Sequence, residues 1–110
     1  MPPKQPKNVE DKTAQVKADE KYSREVVHMA MLLWAISERG ELRGVTIKRI
    51  SIRMPDADRG DALVTVAGTL VDGSPVVCFT AGRYADDALV NALYAIDKEE
   101  VNWREDRFAS

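Results

Sequence analysis

The sequence predicts an α+β domain in which a helix, a three-stranded antiparallel β-meander and a second helix follow one another (αβββα), with the two helices on one face of the sheet. Two observations favour this fold class. Apolar residues recur at helical spacing in residues 21–39 and again in residues 85–98. Between these segments, two runs of strand-forming residues flank Asp72-Gly73, a dipeptide typical of two-residue hairpin loops. A chain of 110 residues is large enough for one such domain with its own core.

The start of the chain is rich in proline, lysine and mixed charges and shows no apolar periodicity. We therefore expect residues 1–20 to form a disordered or fraying tail, followed by a single domain over residues 21–110. The start has no apolar segment typical of a signal peptide, and no stretch approaches the ~20 apolar residues that cross a bilayer. These features predict a cytoplasmic protein that does not act at membranes.

The first helix, over residues 21–39, is apolar on nearly all sides. A second apolar flank, which includes Met31 and Trp34, adjoins its main stripe. Because one sheet covers only one side of a helix, the excess must pack on the tail, on the C-terminus or on another chain. The residues of the main stripe follow helical spacing: Tyr22, Val26, Met29, Leu33 and Ile36.

The first strand, residues 45–54, alternates between apolar and polar residues, but the alternation breaks in the middle. One extra residue near Lys48 and Arg49 would restore a single apolar face, so the sequence predicts a β-bulge there. The opposite face then carries Arg53, with Lys48 or Arg49 turned toward it. The restored apolar face contains Val45, Ile47, Ile50, Ile52 and Met54.

The hairpin is predicted with Asp72 and Gly73 as a type I′ loop, which fixes the strand register. In that register a core face forms, and Pro75, which has no N–H to donate, places the third strand at the sheet edge. The core face contains Val64, Val66, Leu70, Val77 and Phe79. A second, half-apolar face includes Leu63, Val71 and Val76.

The second helix, over residues 85–98, presents an alanine- and leucine-rich stripe that should pack on the core face of the hairpin. The chain then ends in a segment with two aromatic residues, Trp103 and Phe108, and two arginines. Such a segment either folds back over the core or anchors a partner, since Trp and Arg are enriched among interface anchors.

No catalytic or cofactor signature is found, so we expect a protein that is not an enzyme and binds no cofactor or metal. His28 has no second ligand or nucleophile near it in the sequence, and the single cysteine, Cys78, excludes an internal disulfide. The loop with Asp56, Asp58 and Asp61 is rich in oxygen ligands for calcium. However, strands flank this loop, and an alanine stands where a calcium-binding loop needs its bidentate glutamate.

The surplus of apolar surface predicts a small protein-interaction module that associates with itself as a homodimer or with another protein. An accessory protein of a phage or mobile element, which acts by blocking or bridging another protein, would fit this description. The residues expected to bind the partner are Met31, Trp34, Leu63, Val71, Val76, Trp103 and Phe108.

Nucleic-acid binding is the alternative function. Residues 1–55 contain 11 Lys and Arg against 7 Asp and Glu, so the basic charge lies in the first half of the chain. The element order resembles that of the double-stranded RNA-binding domain, which implies phosphate contacts at the start of the second helix. There this chain carries Asp86 and Asp87, which repel phosphate. The basic residues of this alternative are Lys48, Arg49, Arg53, Arg59 and Arg83.

Overall fold

A computed structural model describes the backbone of residues 5–54 and 60–109, and the side chains from residue 24 onward within those ranges. It confirms the predicted α+β order and adds a short fourth strand. One antiparallel sheet has the strand order β1-β2-β3-β4. The elements are α1 (Gln5–Leu42), β1 (Val45–Arg53), β2 (Ala62–Leu70), β3 (Pro75–Gly82), α2 (Ala85–Asp97) and β4 (Arg104–Glu105).

Helix α1 is longer than predicted, because it begins at Gln5 and not near Lys21. The segment before Lys21 is rich in lysine, glutamate, glutamine and alanine, all strong helix formers, and Pro6 lies in the first turn, where proline is tolerated. The chain divides into two units, residues 1–30 and residues 31–110. The second unit contains the end of α1, the sheet and α2.

The predicted β-bulge in β1 is confirmed. Ile47 pairs with Gly68 and Arg49 pairs with Ala67, so Lys48 is the extra residue. The apolar residues of β1 therefore share one face of the sheet on both sides of the bulge. Met54, predicted to join them, lies after the end of β1 and is exposed.

Deleting Lys48 is expected to change the free energy of unfolding by less than about 1 kcal/mol, because it leaves a regular strand with every other side chain on its present face. Deleting Ser51 is the matched control. Deletion of Ser51 would move Ile52 to the opposite face of the sheet, and we expect it to lower the free energy of unfolding by about 2 kcal/mol. Urea denaturation of the two variants measures the difference. Equal destabilisation by both deletions would show that the bulge does not set the register.

The loop between β2 and β3 has three residues and not the two predicted. The N–H of Gly73 donates to the carbonyl of Leu70 at 2.9 Å, and the N–H of Leu70 donates to the carbonyl of Ser74 at 2.9 Å. Gly73 has a φ of 87°, whereas Asp72 does not adopt the positive φ that a type I′ turn needs. This is a type I turn followed by a left-handed glycine. The Ser74 N–H donates to the Asp72 carboxylate, which lowers the pKa of Asp72.

The longer loop shifts the register by one residue, and the predicted core face of β3 was therefore wrong. Val66 pairs with Cys78, and Gly68 pairs with Val76. We call the side of the sheet that carries Val66, Val76 and Cys78 the core face and the other side the open face. Val76 is 6% exposed on the core face, whereas Phe79 is 52% exposed on the open face.

The prediction that β3 is an edge strand was also wrong. Val76 and Val77 of β3 pair with Glu105 and Arg104 of β4. The N–H of Asp106 donates to the carbonyl of Pro75 at 3.0 Å. Proline lacks only the donor, so its carbonyl can still accept a bond from a further strand.

Both helices pack on the core face of the sheet. Helix α2 buries one stripe, as predicted, and Ile36 of α1 is 0% exposed. Gly40 brings α1 close to β1, since a Cβ atom there would lie 2.7 Å from Cδ1 of Ile47. The buried residues of α2 are Ala88, Leu89, Ala92 and Ile96.

Candidate functional site

The described residues contain no cluster suited to a metal ion. Within residues 24–54 and 60–109, no three His, Cys, Asp or Glu side chains are grouped so that they could hold a metal ion. Asp56 and Asp58 of the candidate calcium loop lie outside the described residues, and His28 is exposed. No described helix is long and apolar enough to cross a bilayer.

The single thiol is buried on the core face of the sheet. Cys78 is nearly inaccessible, and burial raises the pKa of its thiol from 9.0 to about 11. The nucleophilic form of a cysteine is the thiolate, which burial in apolar surroundings disfavours. Cys78 is therefore a core residue in this structure.

We expect Cys78 to react with a disulfide reagent at pH 8 about a hundredfold more slowly in the folded protein than in the urea-unfolded chain, from the thiolate fraction alone. A raised folded pKa also means that the neutral thiol stabilises the fold below pH 9. This contribution is lost as the pH rises toward about 11. Stopped-flow labelling in native buffer and in urea measures the ratio. Equal rates would show that the thiol is exposed.

One side of α1 carries large apolar side chains in water. Met31 and Trp34 are each 64% exposed, and Leu42 is also exposed. At 100° per residue, Trp34 lies about 160° around the helix from Ile36, which is fully buried. We call the side of α1 marked by Met31, Trp34 and Leu42 its outer face. Glu38 lies between these residues on the same side, so the outer face is apolar with an acidic end.

The seven residues predicted to bind a partner do not form one surface. Only Met31 and Trp34 share a helix face. Val71 lies in the β2–β3 loop, Leu63 is half-buried on the open face, and Trp103 is half-buried while Phe108 is exposed. Val76 was wrongly placed on the second face, because the three-residue loop turns it into the core.

The basic residues of the nucleic-acid alternative are also divided. Arg49 and Arg53 lie on the open face, and Lys48 is exposed at the bulge beside them. Arg83 follows the end of β3, with its guanidinium 5.6 Å from the centroid of the Tyr84 ring. Arg59 lies outside the described residues.

The start of α2 is not arranged for phosphate. The N–H of Tyr84 donates to the Asp87 carboxylate at 3.3 Å, and the N–H of Asp87 donates to the Asp86 carboxylate at 2.9 Å. The two carboxylates thus bind two of the N–H groups at the start of the helix and add negative charge where a phosphate would lie. The phosphate contacts implied by the resemblance to a double-stranded RNA-binding domain have no counterpart here.

A groove of about 320 Å³ crosses the open face beside the C-terminal segment. Arg49 and Phe79 lie on its sheet side, and residues 104–108 form its other wall. Sequence reasoning missed Phe79, Arg104 and Arg107 as site residues. Phe79 was missed because the predicted register placed it in the core. Arg104 was missed because β4 is only two residues long and gives no strand signal in the sequence. The clustering of two arginines with Trp103 and Phe108 was the available hint.

No protein-family model matches the chain, and no curated protein or solved structure was found to be similar to it. A functional proposal therefore rests on the surfaces of the chain itself.

Proposed function

We propose that this protein is a non-enzymatic interaction module that associates with a second copy of itself through the outer face of α1. The observation that supports the proposal is the exposure of Met31 and Trp34, 64% each, on the side of the helix that faces away from the core. Single exposed apolar residues are common on protein surfaces. Two large ones, one turn apart on the same side of a helix, form a patch that a partner can cover.

Burial of these side chains would contribute favourable free energy to the association of two copies. Covering a large apolar side chain contributes about 1.5–3 kcal/mol. A two-fold axis uses each residue twice, because the same patch lies on both copies. Two copies of Met31 and two of Trp34 can therefore offset part of the entropy that association costs.

The charges of α1 favour an antiparallel pair. Glu38 and Glu41 lie toward the C-terminal end of the outer face. A parallel, in-register pair would bring each glutamate against its own copy, and like charges at an interface are unfavourable. In an antiparallel pair, Met31 faces the partner's Trp34 and the glutamates lie at opposite ends.

The test is light scattering after size-exclusion chromatography across a concentration series. The wild-type chain should approach the mass of a dimer, and Trp34→Glu should remain a monomer. Tyr94→Glu is the matched control, since Tyr94 is an aromatic residue of similar exposure on α2. A wild-type monomer at every concentration, or equal dissociation by Tyr94→Glu, would refute the proposal.

A further inference from the structure

We propose a second site on this protein: the groove on the open face binds single-stranded nucleic acid, with arginines contacting phosphates and Phe79 stacking on a base. This inference goes beyond self-association, because it uses a different surface. It also differs from recognition of double-stranded RNA at the start of α2, where the carboxylates of Asp86 and Asp87 bind two N–H groups of the first turn.

The strand register places two arginines in one row across the sheet. Arg49 pairs with Ala67, Ala67 pairs with Val77, and Val77 pairs with Arg104. Adjacent strands lie about 4.8 Å apart, so the two Cα atoms are separated by about 14 Å. Ala67 and Val77, both apolar and buried, lie between them, and Val77 lines the groove. The groove thus has an arginine at each end of this row and an apolar residue between them.

The arginines of this groove form no ion pair with the described residues. The ion pairs found among them join Arg39 and Arg43 to carboxylates at the end of α2, and none involves the groove arginines Arg49, Arg104 and Arg107. Two acidic residues, Glu105 and Asp106, also line the groove.

Glu105 pairs with Val76, a core-face residue, so its position in β4 alternates with that of Arg104, but it also lines the groove. The carboxylate of Asp106 accepts a hydrogen bond from the N–H of Phe108 at 3.1 Å and is engaged in the C-terminal turn. Three arginines against two carboxylates leave the groove lining with a net charge of +1, and its arginines, which form no ion pair among the described residues, can contact the phosphates of a polyanion.

Aromatic side chains favour single-stranded nucleic acid over an acidic peptide as that polyanion. Phe79 is 52% exposed on the open face, and Phe108 is exposed at the other wall of the same groove. Proteins that bind single strands combine a cationic groove with aromatic rings on which unpaired bases stack. A duplex keeps its bases stacked on one another and cannot use Phe79 in this way.

Fluorescence anisotropy with a labelled oligothymidylate of about 15 nucleotides tests the site. Binding should weaken steeply as salt rises from about 50 to about 200 mM. The double variant Arg49→Gln/Arg104→Gln should lower affinity at least tenfold and flatten the salt dependence. Phe79→Leu should lower affinity about tenfold with an unchanged salt slope, because stacking does not release counterions.

Arg83→Gln is the matched charge control and should bind as wild type does, because Arg83 lies outside the groove. Trp34→Glu should also bind, which separates this site from self-association. Three results would overturn the proposal: no binding at about 50 mM salt, equal loss in Arg83→Gln and the double variant, or full binding by Phe79→Leu with displacement by polyglutamate. The last result would identify an acidic polypeptide as the ligand.

Discussion

Replacement of Val76 by aspartate is expected to lower the free energy of unfolding by about 4 kcal/mol or more, enough to unfold much of a small domain. Val76 is 6% exposed on the core face of the sheet, under the helices. No buried polar or charged residue is found in the described part of the chain, so an aspartate there would have no ion-pair partner in the core. A buried charge without a partner is among the most destabilising changes known.

Phe79→Asp is the control for this prediction, because it lies on the same strand but on the open face. We expect a loss of no more than about 2 kcal/mol, since half of that side chain is already in water. Urea denaturation followed by circular dichroism measures both variants. A two-residue loop would reverse the order, making Phe79→Asp the more damaging change. That order would contradict the three-residue turn.

Gly82→Val is expected to lower the free energy of unfolding by about 3 kcal/mol, the second largest effect predicted for a single substitution. A Cβ atom at Gly82 would lie 2.5 Å from the backbone nitrogen of Ala88 and 2.8 Å from the carbonyl carbon of Asp87. Both atoms belong to the first turns of α2, so the helix would have to move as a body. That movement would disturb the burial of Ala88 and Leu89 against the sheet.

The matched control for Gly82→Val is Ala81→Val, one residue earlier in β3. Ala81 is exposed, and valine is favoured in strands, so its stability should change by less than about 0.5 kcal/mol. Thermal unfolding of the two variants tests the comparison. If Gly82→Val unfolds at the wild-type temperature, the close contact between β3 and α2 does not exist in solution.

The fold class and the bulge could be predicted because the sequence pattern has one solution in each case. Val45 and Ile47 alternate in one phase and Ile50 and Ile52 in the other, and only an extra residue reconciles them. The helices were marked by apolar spacing, although α1 is longer than that spacing showed. Its first half has helix-forming residues without an apolar face, and hydrophobic periodicity does not detect such a segment.

The hairpin register could not be predicted for a physical reason. Asp72-Gly73 suits a two-residue type I′ loop, and it equally suits the last two positions of a three-residue loop. Alternation usually decides between such registers. Here Val76, Val77 and Phe79 are all apolar, with Cys78 between them, so either register gives β3 an apolar core face.

The candidate surfaces were predicted only in part. Trp34 and Met31 were found because α1 has more apolar residues than one sheet can cover. Of the groove arginines, only Arg49 was named from the sequence. Arg104 joins Arg49 in one row only through β4, and two polar residues give no strand signal. The wrong register also placed Phe79 in the core and Val76 outside it. One misread turn thus changed which side chains appeared available to a ligand.

The most direct test of the central proposal is the fluorescence of Trp34 in the variant Trp103→Phe, which leaves Trp34 as the only tryptophan. On dilution of a concentrated sample, the emission maximum should move from shorter to longer wavelength as the dimer dissociates and water reaches the ring. The midpoint should match the one obtained by light scattering. An emission maximum typical of a water-exposed indole at every concentration would contradict burial of the outer face of α1 by a second copy.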